Sequence, residues 1–215
     1  MRDYFFSDAR YLELNVDFPY EEMLKEATAL KDQYVGHRSG YEHKGWKSLV
    51  LHGLGEDKTE SWHSYGFKNS QEASNAMHWT EVSQLAPVTK NYFINHFPCQ
   101  KYGRVRFMML EAGGHIDFHT DSRAPIVDNI SFCLNKPEGF IWKWGDGHED
   151  LYMGQGKAYA MNISYSHGLV NNSNEDRYHI IVARHDSTNE WKKLMTDAAQ
   201  KHNVIGTFQQ INELP

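Results

Sequence analysis

Residues 103–121 read GRVRFMMLEAGGHIDFHTD, and the fold prediction starts from this stretch. In its first half Val105, Phe107 and Met109 stand at every second position, which is the side-chain period of a β-strand. The same alternation returns further along the chain, in residues 129–134, 140–144, 158–163 and 177–182. Several short strands separated by turn residues such as those at 145–147 indicate an antiparallel sandwich or barrel.

The residues before this core are predicted to be largely helical, with one strand at 46–52. Helices are predicted after Pro19 and at residues 70–77 and 87–97, and the polar stretch 55–70 is predicted to be a loop.

After the core, Ser187-Thr188-Asn189-Glu190 fits a capping box, which would start a C-terminal helix over residues 187–202. We therefore expect a single domain over residues 1–215. It would be mainly β with flanking helices, and its β core would span residues 103–185.

Composition excludes several classes of protein. The chain has 215 residues, 40% of them hydrophobic, so it can bury a core and is not of the disordered class. A net charge of -6 argues against a nucleic-acid partner. Its two cysteines, Cys99 and Cys133, form no CxxC motif, which favours a reducing compartment such as the cytoplasm. We see neither a signal peptide nor an apolar run long enough to cross a membrane.

Two His-x-Asp triplets follow the double glycine, His115/Asp117 and His119/Asp121. Residues two apart on a strand project to the same face, so either pair could bind one metal ion. His167 is the candidate third ligand. Two imidazoles and one carboxylate form the facial triad of non-haem Fe(II) oxygenases, which leaves positions open for a 2-oxo acid and dioxygen. A single triplet is a weak signal in a chain with 13 histidines, and spacing does not choose between the two pairs.

Arg177 strengthens the hypothesis because it follows His167 by ten residues, across a turn-like stretch at 171–174. A hairpin of this length can bring both side chains to one barrel mouth. The planar guanidinium could bind a carboxylate through two parallel hydrogen bonds. A five-carbon dicarboxylate needs such a partner at its distal end.

The stretch from Arg104 to His185 resembles the aspartyl/asparaginyl β-hydroxylase family of 2-oxoglutarate oxygenases, which includes bacterial proline hydroxylases. The matching segments are RFMMLEAGG at 106–114, HTD at 119–121, NISYSHG at 162–168 and RYHIIV at 177–182. This resemblance implies a double-stranded β-helix, the jelly-roll or cupin-like barrel. It also implies that the catalytic Fe(II) is bound by His119, Asp121 and His167, and that 2-oxoglutarate is bound by Arg177.

The resemblance further implies the reaction. Dioxygen and 2-oxoglutarate would be consumed, succinate and carbon dioxide released, and an amino acid, free or within a peptide, hydroxylated. The family often carries Arg-x-His about ten residues after the first ligand, where this chain has Asn129-Ile130-Ser131. Ser131 could still donate a hydrogen bond to the cosubstrate. His179, on the same strand face as Arg177, could contribute instead.

Other interpretations stay open at this stage. The barrel could be a non-catalytic module that binds a small acid or a protein, or a cupin-like metalloenzyme that does not use 2-oxoglutarate. His63, in the aromatic loop at 61–66, could belong to a substrate lid, although a packed surface loop is favoured. Trp142 and Trp144 are expected in the core. Arg106 could point into the barrel or lie at a surface strand end.

Overall fold

A computed structural model describes residues 3–37, 42–55, 62–122 and 124–210 of the chain. Within them the strands are β1 (Asp3–Phe6), β2 (Tyr11–Leu14), β3 (Val35–Gly36), β4 (His43–Gly53), β5 (His78–Trp79), β6 (Tyr102–His119), β7 (Val127–Cys133), β8 (Phe140–Trp144), β9 (Ala158–Asn162), β10 (His167–Asn171), β11 (Arg177–Arg184) and β12 (Thr207–Gln210). The helices are α1 (Tyr20–Ala29), α2 (Ser70–Ala76), α3 (Pro87–Asn95) and α4 (Asn189–Lys201), and 3-10 turns lie at Lys31–Gln33, Trp62–Tyr65 and Glu81–Leu85.

Most strands form one antiparallel sheet that folds over on itself as a jelly roll. Its order is β2-β9-β7-β11-β6-β10-β8, while β4 pairs with the other edge of β6 and also with β3 and β5. Strands β1 and β12 form a separate antiparallel pair that joins the two ends of the described chain. The predicted fold, mainly β with flanking helices around a jelly-roll barrel, is confirmed.

Strand β6 connects the two halves of the sheet. Up to Leu110 it pairs with β11, and from His115 it pairs with β10. Gly113, with φ +68°, lies at the bend between these parts, where any L side chain would be strained. A Cβ on Gly114 would lie 2.7 Å from the backbone oxygen of Lys44, so glycine is what allows β4 to approach. The double glycine of the sequence is therefore the corner of the jelly roll.

The sheet is buried on both faces, which creates two hydrophobic clusters. The outer cluster, between sheet and helices, includes Phe107 and Phe132. The inner cluster fills the barrel and includes Met108 and Trp142. Adjacent residues of β6, Phe107 and Met108, are thus both fully buried, on opposite sides. The inner cluster surrounds the candidate site.

Helices cover the outer face. Helix α1 buries Met23 and Ala27, and α4 buries Trp191 and Met195. Among the described residues, none of the four helices contributes to the wall of the cavity inside the barrel. No helix in the described part of the chain is long and apolar enough to cross a membrane.

The first hundred residues contain more strand than the sequence predicts. The expected strand at 46–52 lies within β4, but the described residues there form five strands rather than one. The additional strands β1, β2, β3 and β5 have only two to four residues each, too few for alternation to be recognised. Moreover, β1 and β2 pair with β12 and β9, far along the chain. Helices α1, α2 and α3 lie where they are predicted.

The C-terminal helix begins one residue later than the capping box suggests. Thr188 is the N-cap, and its hydroxyl accepts the backbone N–H of Trp191. The Ser187 hydroxyl instead accepts the backbone N–H of Asp3 at 2.8 Å, a contact made only by the folded chain.

Of the predicted loop at 55–70, residues 56–61 lie outside the described residues, and Trp62–Tyr65 forms a 3-10 turn.

Candidate metal centre

Three of the predicted site residues meet at one end of the barrel. His119 is the last residue of β6, His167 is the first residue of β10, and the two are cross-strand partners. Asp121 follows two residues after His119. Its Oδ2 lies 3.7 Å from Nε2 of His119 and 3.9 Å from Nε2 of His167. The three ligand atoms lie within 4.8 Å of one another, the spacing expected for donors around one ion.

Both imidazoles are oriented by the backbone. Nδ1 of His119 lies 2.8 Å from the carbonyl oxygen of Asp117, and Nδ1 of His167 lies 2.9 Å from that of Tyr165. A carbonyl only accepts hydrogen bonds, so Nδ1 carries the proton in each ring. The lone pair of each Nε2 therefore faces Asp121 and is available to a metal ion.

Burial favours the neutral, metal-binding form of His167. Desolvation lowers the pKa of His167 below its ordinary value, and the neighbouring His119 lowers it further. The ring of Trp142 stacks on His167, with centroids 4.8 Å apart and planes 9° from parallel. The backbone N–H of Asp121 donates to the carbonyl of Ile163 at 3.0 Å, which holds the third ligand beside the two rings.

A β-bulge separates the two His-x-Asp pairs. Leu169 pairs with Ile116 and His167 pairs with His119, so three steps on β6 match two on β10. The bulge turns both Ile116 and His119 into the cavity, which strict alternation would not allow. His115 and Asp117 stay outside, with side chains 42% and 57% exposed. Among the described residues, the set of His119, Asp121 and His167 is the only cluster that could hold a metal.

Arg177 lies at the other end of the interior and is 1% exposed. Its guanidinium lies 4.0 Å from the ring centroid of Phe140, and Nη1 lies 2.5 Å from Nδ1 of His179. Nη2 reaches only the sulfur atoms of Cys133 and Met153. No carboxylate in the described ranges forms an ion pair with Arg177. Because a buried cation without an anion is costly, this position is suited to an anionic ligand.

The two supporting residues, Ser131 and His179, line the cavity beside the metal cluster, whereas Arg177 is not part of its wall and reaches it through its contact with His179. The Ser131 hydroxyl is buried and has no hydrogen-bond partner among the described residues. Burial lowers the pKa of His179 well below its ordinary value, and the adjacent guanidinium of Arg177 lowers it further. His179 is therefore neutral and accepts from Arg177 through Nδ1, so it does not compensate the charge of the arginine.

The cavity wall is otherwise mainly apolar. It is formed by Trp46, Ile116, His119, Asp121, Asn129, Ser131, Trp142, Ile163, His167, Leu169, His179 and Ile181. Neither Trp46 nor Trp142 is predicted from the sequence to belong to the site. Trp142 and Trp144 are buried in the inner cluster, as expected of core residues. In a strand with several apolar residues, the sequence pattern does not show whether a tryptophan lines a cavity or only packs in the core.

The remaining candidates are placed elsewhere. His63 stacks on Trp62, with ring centroids 3.5 Å apart, and does not line the cavity; Ser61 of the same loop lies outside the described residues. Arg106 is 8% exposed and pairs with Ile181, whose side chain lines the cavity. Arg106 therefore belongs to the buried interior rather than to a surface strand end.

Residues 18–187 match the family model of aspartyl/asparaginyl beta-hydroxylase. The chain belongs to this family. The aspartyl/asparaginyl β-hydroxylase match covers most of the chain and begins at Phe18, well before the stretch from Arg104 to His185 that carries the resemblance. The family prediction made from the sequence is confirmed.

Solved structures also resemble this aspartyl/asparaginyl β-hydroxylase family member, at low identity. A Pseudomonas putida prolyl-4-hydroxylase matches with TM-score 0.46 and 9% identity, over 84% of this chain and 95% of that chain. A Trichoplax adhaerens prolyl hydroxylase, solved with a hypoxia-inducible-factor peptide, matches with TM-score 0.48 and 12% identity, over 83% and 84%. A collagen prolyl hydroxylase of Paramecium bursaria Chlorella virus-1, in a 2OG complex, gives 0.41 and 12%, over 84% and 98%. Curated proteins give no match.

Proposed function

We propose that this chain is an Fe(II)- and 2-oxoglutarate-dependent dioxygenase that hydroxylates an amino acid, free or within a peptide or protein. One observation carries the proposal. The barrel interior holds a two-histidine, one-carboxylate cluster at one end and a buried arginine with no described carboxylate partner at the other. A metal ion and a dicarboxylate would satisfy both ends at once.

The donor set suits both groups. His119, Asp121 and His167 would hold the iron, and Arg177 would pair with the distal carboxylate of 2-oxoglutarate. Ser131 has a hydroxyl to donate inside the same cavity. When bound, iron with 2-oxoglutarate and dioxygen supplies the oxidising power that converts a substrate C–H to C–OH, while 2-oxoglutarate becomes succinate and carbon dioxide.

The protein's own residues orient the ligands and exclude water. The Asp117 and Tyr165 carbonyls keep the protons of His119 and His167 on Nδ1. Apolar side chains of the cavity wall, such as Leu169, limit the water that could reach the reacting atoms.

The proposed substrate class, an amino acid free or within a peptide, is that of the family. Phe118 lies next to the ligand His119 and is 55% exposed, so it could contact a substrate that enters the barrel mouth.

We propose no nucleic-acid or membrane partner. Two buried free thiols, Cys99 and Cys133, suit a reducing compartment such as the cytoplasm.

The first test is to add Fe(II) and 2-oxoglutarate anaerobically to the purified protein and to record the visible spectrum. We expect a weak metal-to-ligand charge-transfer band, because a 2-oxo acid that chelates an iron with open positions gives one. His119→Ala should abolish the band. His115→Ala is the matched control, because it removes the equivalent histidine of the exposed pair and should leave the band intact.

Other outcomes would redirect the proposal. Iron binding without the band would indicate a cupin-like metalloenzyme that does not use 2-oxoglutarate. If neither iron nor 2-oxoglutarate binds, the barrel is a non-catalytic binding module. Loss of the band in His115→Ala but not in His119→Ala would move the ligand assignment to the exposed pair.

A further inference from the structure

Trp142 lies between the two ends of the barrel interior, where the metal ion and the distal carboxylate of 2-oxoglutarate are proposed to bind. Phe140, Trp142 and Trp144 project from one face of β8 into the inner cluster. Arg177 lies over the ring of Phe140, and His167 stacks on the ring of Trp142. Trp142 therefore lies between the arginine end and the metal end of the interior, and it lines the cavity itself.

The indole N–H of Trp142 is one of the buried polar groups that packing among the described residues does not satisfy. Nε1 is buried and has no hydrogen-bond partner among the described residues. Buried indole N–H groups in proteins usually have a partner, since an unmade hydrogen bond costs free energy. Ser131 Oγ is a second buried donor without a described partner in the same wall. Two such donors around one cavity point to an acceptor that the ligand supplies.

We propose that Trp142 donates a hydrogen bond from Nε1–H to the C1 carboxylate of bound 2-oxoglutarate. This inference rests on the proposed function. The distal carboxylate is assigned to Arg177, so the opposite carboxylate lies toward His167, the ring on which Trp142 stacks. A carboxylate only accepts hydrogen bonds, and its charge makes each bond stronger than a neutral one. Trp142 thus supplies a hydrogen-bond donor in the cavity wall, beside the ring of His167.

Trp142→Phe separates this role from packing, because phenylalanine keeps a ring to stack on His167 but has no N–H. Trp144→Phe is the matched control. Trp144 is buried on the same face of the same strand, but it does not line the cavity. Both variants remove an indole from the inner cluster, so a general packing effect would appear in both.

The experiment measures 2-oxoglutarate binding by calorimetry on protein loaded with Mn(II), which does not turn the cosubstrate over. We expect the Kd to rise at least about tenfold in Trp142→Phe, as for loss of a hydrogen bond to a charged group. Trp144→Phe should stay within about twofold, as expected away from the ligand. The Kd of Mn(II) should be unchanged in both variants. With 2-oxovalerate, which keeps the C1 end but lacks the distal carboxylate, Trp142→Phe should cause the same loss.

A second measurement needs no variant. In Zn(II)-loaded wild-type protein, the indole proton of Trp142 should move downfield in an NMR spectrum when 2-oxoglutarate is added, as for a newly formed hydrogen bond. Its signal can be assigned from contacts with neighbouring protons, so the test holds even if Trp142→Phe does not fold.

The outcomes are distinguishable. If wild-type protein binds 2-oxoglutarate while Trp142→Phe binds it equally well, or the indole proton does not move, the role of Trp142 is refuted and the proposed function stands. If wild-type protein does not bind 2-oxoglutarate at all, both the proposed function and this inference fall.

Discussion

Strand β11 carries two buried arginines, Arg177 and Arg184, whose different surroundings indicate different roles. Arg184 is fully buried, and its Nε donates to Asp128 at 2.9 Å. Arg177 is equally buried, but its described contacts are with His179, two sulfur atoms and an aromatic ring. The first arginine completes a structural ion pair. The second has the environment expected of a site for an anion.

Substituting each arginine with methionine should have opposite effects on stability. Arg184→Met removes a buried guanidinium that donates to Asp128, to the Ser187 hydroxyl and to the carbonyl of Asp3, so we expect a loss of about 3–5 kcal/mol in the free energy of unfolding. Arg177→Met removes a buried charge that has no described anionic partner, so the ligand-free protein should be as stable or more stable. Urea denaturation of both variants and the wild type measures the difference.

Ligand binding supplies the second half of this test. With Mn(II) present, 2-oxoglutarate at 100 times its Kd should stabilise the wild-type protein by about 2.7 kcal/mol. We expect most of this gain to vanish in Arg177→Met. A large loss of stability in ligand-free Arg177→Met, or an unchanged gain with 2-oxoglutarate, would contradict the role assigned to Arg177.

At the scale of elements, strand β6 combines two irregularities that position His119, a candidate metal ligand. The double glycine bends the strand from one half of the sheet to the other, and the bulge before His119 turns that side chain inward. Gly45 of β4, with φ +72°, lies opposite this bend. Strand alternation alone predicts that His115 and His119 share a face, so pairing with β10 decides which histidine enters the barrel.

Alanine at the two glycines of the bend should destabilise to different degrees. In Gly114→Ala the new Cβ would lie 2.7 Å from Lys44 O and 2.8 Å from Glu111 O, both backbone atoms, so we expect a loss of about 1–3 kcal/mol. Gly113→Ala meets no atom within 4 Å and loses only about 1–2 kcal/mol from its positive φ.

Gly36→Ala is the control, since its Cβ meets no atom within 4 Å and its φ is ordinary. It should change stability by less than about 0.5 kcal/mol. Urea denaturation of the three variants checks the order. Equal stability of Gly114→Ala and Gly36→Ala would show that the close approach of β4 is not required.

At the scale of the whole molecule, burial of both sheet faces places ionisable groups in the interior. His52 of β4 is one of these, 8% exposed and packed against Trp79 and Tyr102. Desolvation lowers the pKa of His52 to about 4 from 6.5, and the nearby His78 also lowers it. The folded protein therefore holds His52 neutral over a pH range in which the unfolded chain protonates it.

This difference predicts a loss of stability in acid. Between pH 6.5 and pH 4 the unfolded state binds more protons at His52, so the free energy of unfolding falls as the pH falls. The full effect is roughly 3 kcal/mol, reached near pH 4. His52→Gln should lose less stability than the wild type between pH 7 and pH 4.5, measured by urea denaturation at each pH.

The exposed His96 provides the control, and His96→Gln should keep the wild-type pH dependence. An unchanged pH dependence in His52→Gln would show that His52 does not contribute to acid sensitivity. Other buried groups, His179 among them, have lowered pKa values and act in the same direction, so the dependence should flatten but not disappear.

The sequence by itself determined the β core and the family, and it named the candidate site residues, although its spacing did not choose between His115/Asp117 and His119/Asp121. Alternating apolar residues predicted strands within β6, β7, β8, β9 and β11, because one face of a strand must be buried whatever its partner is. The His-x-Asp spacing and the ten residues between His167 and Arg177 are local features of the chain. They could be recognised before any partner strand was known.

Tertiary structure decided the rest, because it depends on pairing between distant segments. Strands β1 and β2 are too short to be recognised without β12 and β9. The bulge that places His119 inward exists only in the register of β6 with β10. Among the described residues Arg177 has no carboxylate partner and the N–H of Trp142 has no acceptor, and both facts depend on which side chains surround each group. Burial and hydrogen-bond partners are properties of the packed molecule, and for this reason the sequence predicted the ligands but not the wall of the cavity.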